Sequence, residues 1–522
     1  MPKPVAHSPP LASARSLRQK VRTERLLLVH ITPAHPGRAF EEHGVSPTAA
    51  DQPIRAHQLS TQYIVFLVIA AAAPLASMIG NLPIAIARGT GANVPVAFLI
   101  AGAILIAFTA GYAFIGRRVI STGAFYTYVA EGLGKPLGVG TAYCAILSYG
   151  AFAFGLAAAC GYFDEQVFLA VGLKVDWTIC SAASVLLTGI LNYRSMDASS
   201  KLLAVIIVVE TAVLVVFDGS VIAAKGWAAF PLSSFAPSQW LAPGVGVSLM
   251  TAFTCFVGFE SGALYSKEAA DPVRSIPLAS YVSVILIGSF YLLTAWITIG
   301  ALGAGDAKAR ALAHGGTLIL DLIKQYDGKT AADIAGILLC TSMLATYIAI
   351  HAAASRYIFA LAREGLLPRT LARFDDARNV PVTATLCMSI ATVVCLAGIA
   401  SIRTDPYAAI IPVLIGMGTL GIIALQAAAA IAIVFYVVRH RREAGAIVLI
   451  ASLCAAIGLA VALTTVCTNF TLLSTVSTPF VSLLPFAYVI TLVAGIGFCL
   501  WMRATRPHNY AQLALVEHRA SD

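Results

Sequence analysis

The chain has 522 residues, of which 59% are hydrophobic and only 11% charged, and its mean hydropathy is +0.84. A soluble domain carries about 25% charged residues, so a water-soluble globular body is excluded. The net charge of +9 raises nucleic acid as a partner, and only the distribution of that charge along the chain decides the matter.

Residues 1–57 are rich in Pro, Ala, Ser, Arg and His, and their longest apolar run is Leu26-Leu27-Leu28-Val29. A secretory signal needs an apolar run of about 7–15 residues. The stretch therefore reads as a disordered cytosolic tail, with a regulatory arm as the alternative. From residue 58 onward the chain is a succession of apolar segments. About 20 apolar residues cross the hydrocarbon of a bilayer. Twelve such segments lie near 62–86, 94–115, 138–162, 177–193, 201–223, 244–265, 278–301, 334–360, 382–401, 407–438, 446–467 and 483–502. The fold class is an all-α polytopic membrane protein. Segments 1–10 make a core at 58–440, segments 11 and 12 occupy 441–503, and 504–522 form a second cytosolic tail.

Segment 1 places Pro74, Gly80, Asn81 and Pro83 within a few turns of one another. Prolines and a glycine at membrane depth free backbone groups that lipid cannot satisfy. Two outcomes are open: a kinked helix packed against its neighbours, or a broken helix lining a cavity. Gly89-Thr90-Gly91 after it is a turn, because no strand precedes it and no phosphate-loop Lys follows. Segment 5 carries Glu210 inside an apolar run. Segment 6 carries Gly258 and Glu260 in Phe256-Val257-Gly258-Phe259-Glu260-Ser261, closed by Lys267, Glu268, Asp271 and Arg274. An ionisable group at that depth costs roughly 2.5–3.5 kcal/mol on insertion scales, which makes it a candidate for function. A second interrupted helix, five segments after the first, favours the cavity over the kink, since such pairs mark transporter binding sites.

The remaining chemistry is sparse. The ten cysteines fall in or beside apolar segments without C-x-x-C pairs, as expected of small packing side chains; Cys255 and Ser77 are the pair that could share a cavity. His351 sits inside segment 8, either packed or lining that cavity. Neither a metal site nor a cofactor motif is present, and no catalytic constellation supports an enzyme. Fourteen Lys/Arg occupy the loops on one side and eight the loops on the other. The positive-inside rule then places both termini in the cytoplasm. The excess suits anionic lipid headgroups and argues against nucleic acid.

With these elements in hand, the chain resembles the amino acid–polyamine–organocation superfamily of permeases. The residues that carry the resemblance are Met78-Ile79-Gly80, Gly123-Ala124-Phe125-Tyr126-Thr127-Tyr128, and Phe256 to Ser261 with Lys267-Glu268-Ala269 and Pro272. Ser355-Arg356-Tyr357 through Ala362-Arg363-Glu364-Gly365-Leu366-Leu367-Pro368 completes the set. The resemblance implies a leucine-transporter-like fold: two inverted repeats of five helices plus two further helices. It implies an amino acid permease of the inner (plasma) membrane, a secondary transporter working by alternating access. Substrate carboxylate would lie against backbone N–H groups at Ser77, Met78, Ile79 and Gly80. The α-amino group would meet carbonyls around Phe256, Val257 and Gly258, and Phe253, Phe256 and Phe259 would select side chains or form gates. The same aromatic spacing equally suits helix packing. Glu260 and Glu210 are candidates for proton coupling; Glu260 could instead contact a cationic substrate, and both could be structural. Relatives often carry a second glycine where Leu82-Pro83 stands here, so amines remain open beside amino acids. An amino acid/polyamine exchanger and a non-transporting nutrient sensor are the alternatives.

Overall fold

The computed structural model describes residues 61–120, 125–194, 200–240, 242–259, 272–378, 380–401, 404–475, 479–511, 513 and 517–518. All belong to one compact unit, Ala56–Asp522. The tail at 1–57, Gly123, Ala124, Glu260, Ser261 and Lys267-Glu268-Ala269 lie outside the described residues.

Segment 1 forms two helices, α1 (Thr61–Ala72) and α2 (Pro74–Arg88), and segment 2 is α3 (Val94–Gly116). A two-residue strand, β1 (Val119–Ile120), and the short α4 (Phe125–Leu133) lead to α5 (Lys135–Ala170). Then follow α6 (Trp177–Arg194), α7 (Ser200–Lys225), α8 (Val245–Cys255), which holds the first half of segment 6, and α9 (Pro272–Leu302). Two short helices, α10 (Ala307–His314) and α11 (Leu318–Asp327), fill the long loop before α12 (Lys329–Arg363). The last part holds α13 (Val382–Ala400), α14 (Ile411–Arg439), α15 (Arg441–Asn469), α16 (Pro479–Leu483), α17 (Phe486–Thr505) and α18 (Pro507–Ala511).

Among the described residues, nine helical stretches are long and apolar enough to cross a membrane. A buried helix α5 lies at the centre, packed on α14, α12, α17 and α6. Its run of Ala, Gly, Ser and Phe lets neighbours approach closely, as lipid-embedded helices do. By contrast α13, α15 and α17 turn Leu386, Val394, Ile450, Ile457, Ile490 and Val493 outward. Apolar side chains presented over several turns are what a lipid surface requires and water does not tolerate.

Segment 8 ends where its sequence dictates. The Leu366 N–H donates to the Leu361 carbonyl at 2.9 Å and the Gly365 N–H to Ala362 at 3.1 Å, with Gly365 at φ 76°. This paired 6→1 and 5→2 closure is a Schellman cap, and Pro368 follows it. Tyr143 of α5 donates its hydroxyl to the Leu366 carbonyl, fixing the cap to the central helix.

The expected C-terminal tail is partly docked. Lys135 Nζ donates to the carbonyls of Tyr510 and Ala511, both at 3.2 Å. Leu513 is buried in a satellite cluster with Tyr126, Leu361, Leu366 and Met502. The β2 strand (Glu517–His518) pairs antiparallel with β1, Val119 opposite His518 and Ile120 opposite Glu517. Burying a leucine is worth about 1.5–3 kcal/mol. Truncation before Pro507 is expected to lower the melting temperature in detergent, with a loss of about 2 kcal/mol; an unchanged transition would show that the docking is energetically idle.

Candidate functional site

The site begins with a proline. Pro74 has no N–H to donate back into α1, and its ring disfavours helical geometry at the residue before it. The chain breaks there: Ala73 takes φ 42° and ψ 72°, the one non-glycine at positive φ among the described residues. An L-residue in this region costs about 1–2 kcal/mol. The carbonyl of Ala72, released from the helical ladder, accepts the Ser77 hydroxyl at 2.8 Å and the Tyr291 hydroxyl at 3.0 Å. The Ser77 N–H closes the first turn of α2 on Ala73 at 2.9 Å. Leu75 and Ala76 remain in that first turn, where N–H groups have no intrahelical acceptor. Past it, α2 continues without interruption through Gly80, Asn81 and Pro83.

Segment 6 breaks beside segment 1. Beyond Cys255 the α-ladder gives way to tighter bonds, Phe256 to Phe253, Val257 to Thr254 and Phe259 to Phe256, at 3.1–3.2 Å. Gly258 at φ 106° turns the chain in a conformation that side-chain-bearing residues resist. The two breaks touch: Cys255 Sγ donates to the Ser77 carbonyl at 3.7 Å.

Between them lies a cavity of about 40 Å³, room for about three water molecules at 10–15 Å³ each. Segment 1 contributes Ala72, Ala73, Ala76, Ser77, Gly80 and Asn81; α5 contributes Phe152, Leu156, Ala159 and Phe163. Thr254 and Val257 come from segment 6, Met343, Thr346 and Ile350 from α12, and Ile411 and Ile415 from α14. A smaller void of about 10 Å³ shares Asn81, Thr254, Ile411 and Ile415 and extends to Ile84 of α2 and Met250 of α8.

A family profile of amino acid permeases matches residues 59–496. The chain belongs to the amino acid permease family. This places it in the amino acid–polyamine–organocation superfamily, a family of transporters rather than enzymes. Among curated relatives, the chain is similar to a vacuolar cationic amino acid transporter of Arabidopsis thaliana, 27% identical over 58% of this chain and 52% of the relative. It is also similar to a low-affinity putrescine importer of Escherichia coli, 25% identical over 54% of this chain and 62% of the relative. An uncharacterized amino acid permease of Bacillus subtilis is 26% identical over 41% of this chain and 49% of the relative. The chain thus spans about half to three-fifths of the length of these relatives.

Of the residues expected at the permease site, Ser77, Gly80 and Val257 line the cavity. Met78 and Ile79 are buried inside α2 and do not line it. Nor do the three phenylalanines. Phe253 is in the core. Phe256 lies beside Tyr291, ring centres 6.1 Å apart, and Phe259 packs edge-on to Phe108 at 6.2 Å. Glu210 also lies outside the wall. Its Oε2 accepts the Ser342 hydroxyl at 2.9 Å, one residue before Met343. His351 takes the packed option: Nδ1 meets Asn192 and Nε2 meets Ser389, each at 3.0 Å.

Two features escaped the sequence. Tyr407 donates its hydroxyl to the Gly80 carbonyl at 3.1 Å and stacks on Tyr162 with ring centres 5.0 Å apart, beside the cavity residue Phe163. It stands in a π-turn, Pro406–Ile410, capped by Asp405, which accepts the Tyr407 and Ala408 N–H groups at 2.8 and 2.9 Å. The Asp405-Pro406 pair was a readable helix start; the role of the next aromatic was not. Asp218, two turns beyond Glu210, accepts the Thr294 hydroxyl at 2.7 Å, and its other oxygen has no partner among the described residues.

A Cβ on Gly80 would lie 2.5 Å from the Met343 methyl. Because methionine yields easily, Gly80→Ala should fold normally yet push Met343 into the cavity, raising the substrate KM about fivefold. An unchanged KM would separate Gly80 from the substrate space. Tyr291→Phe leaves the Ala72 carbonyl with one donor and is expected to cost about 1 kcal/mol of stability, read as a lowered melting temperature.

Proposed function

We propose that this permease is a secondary active transporter of amino acids or related amines, working by alternating access and driven by protons. The pair of helix breaks at Ala73 and Gly258, flanking one buried cavity, carries this proposal. Interrupted helices at corresponding places in two halves mark the binding sites of transporters. The twelve-span organisation, two inverted sets of five plus two, belongs to the same proposal, with segments 1 and 6 opening each set.

In this scheme the carboxylate meets the start of α2 at Leu75 and Ala76, ahead of the Ser77 N–H that closes on Ala73, where first-turn N–H groups and the helix dipole favour an anion. Relative to the sequence expectation this moves the contact toward the start of the helix, because Met78 and Ile79 lie beyond the first turn. The α-amino group turns to the carbonyls of segment 6 around Val257 and Gly258. The similarity to a cationic amino acid transporter and a putrescine importer supports amino acids and amines as the substrate range. The Lys/Arg asymmetry supports a plasma-membrane orientation with both termini cytoplasmic, in contact with anionic lipid. Glu260 and Glu210 are the proposed proton carriers. Glu210 is joined through Ser342 to the helix that supplies Met343 to the wall.

Vesicles reconstituted with the pure protein test this directly. Saturable uptake of a labelled amino acid that rises with an imposed pH gradient and collapses with a protonophore is the expected result. Binding without flux, or non-saturable conductance, would overturn it. Glu260→Gln and Glu210→Gln are each expected to slow proton-driven uptake by about tenfold or more while sparing exchange. A wild-type pH profile in either variant removes that residue from coupling.

A further inference from the structure

We infer that the cavity selects small amino acids with uncharged side chains and disfavours cationic amino acids and polyamines, in contrast to the substrates in the names of the relatives it resembles. The inference rests on the proposed transport function and narrows its substrate. Every described side chain in the wall is neutral. The polar ones are two threonines, a serine and an asparagine, and the rest are alanine, aliphatic, methionine or phenylalanine.

The described carboxylates nearby are committed elsewhere. Glu210 is held by Ser342 behind α12. Asp405 caps the turn that carries Tyr407. Asp164, next to the wall residue Phe163, takes the Ser184 hydroxyl of α6 at 3.5 Å. A lysine or putrescine ammonium entering this space would shed its water without gaining a counter-charge from these groups, and such burial is strongly unfavourable.

The zwitterionic head group does not meet that difficulty. Its two charges face the helix break, where backbone N–H groups and carbonyls are already oriented. The side chain then projects among Leu156, Met343 and Ile350, which reward apolar surface. With about 40 Å³ of space, small side chains fit with the least rearrangement, since overpacking a formed wall is itself destabilising.

The test is a panel of L-alanine, L-serine, L-valine, L-lysine, L-arginine and putrescine, read by thermal shift on the full-length protein and by competition for uptake in vesicles. Alanine, serine or valine should half-saturate at a concentration about tenfold or more below that of lysine, arginine and putrescine. Equal or tighter binding of the cationic compounds overturns the inference while leaving amino acid transport intact. If Glu260→Gln then abolishes their binding, that side chain is the counter-charge. Absence of any response across the panel overturns the transport function itself. As a positive control of the cause, Thr346→Asp places a carboxylate in the wall and should shift the lysine-to-alanine preference toward lysine by about tenfold. A correctly folded variant, judged by its size-exclusion profile and melting transition, whose preference does not move would also overturn the inference.

Discussion

The architecture depends on one carbonyl. Away from water a released backbone group must find a partner inside the protein, and Pro74 releases the carbonyl of Ala72. Two hydroxyls answer it, Ser77 from the new helix and Tyr291 from α9. That pair does more than compensate a lost helical bond. It sets the angle between α1 and α2, and it ties segment 1 to segment 7. It also holds Ala73 in a left-handed conformation that persists only where the surroundings over-determine it.

The second break is anchored to the first and to the central helices. Cys255 reaches the Ser77 carbonyl, and Thr254 meets Thr419 of α14 at 2.8 Å, so the end of α8 is pinned from two directions. At the far side of the cavity Tyr407 holds the Gly80 carbonyl and stacks on Tyr162. Segment 10 thus bonds the broken helix through the Tyr407 hydroxyl and packs its ring on α5, contacts worth about 1 kcal/mol apiece. In the proposed alternating-access scheme such a contact is weak enough to open, whereas the doubly bonded Ala72 carbonyl would stay.

Much of this was legible in the sequence, and the parts that were not share a physical reason. Apolar length is a one-dimensional signal, so the membrane class and the helical positions could be read directly. The Gly365 and Pro368 cap likewise depends on neighbours in the chain. In segment 1 four breakers competed, and local chemistry did not rank them. Pro74 broke the helix, while Gly80, Asn81 and Pro83 were absorbed into α2. The three phenylalanines show the limit of periodicity: their spacing suits a cavity or a core, and only neighbours such as Tyr291 and Phe108 decide. Tyr407 and Thr419 could not be read at all, because their partners lie more than 160 residues away in sequence.

Charge and recognition are kept apart in this molecule. Around the cavity the described wall offers hydroxyls, an amide and backbone dipoles, while the buried carboxylates Glu210 and Asp218 stand one helix behind, each gripped by a hydroxyl. In the proposed proton-coupled scheme, a proton gained or lost at Glu210 would reach the cavity wall through Ser342 and its neighbour Met343. Met343 stands close enough to Gly80 in the broken helix that an added Cβ there would lie 2.5 Å from its methyl. In such an arrangement the apolar wall and the proton site can be altered independently. On the proposed reading, selectivity would then shift between amines and small neutral amino acids through the wall residues, with the proposed proton site left in place.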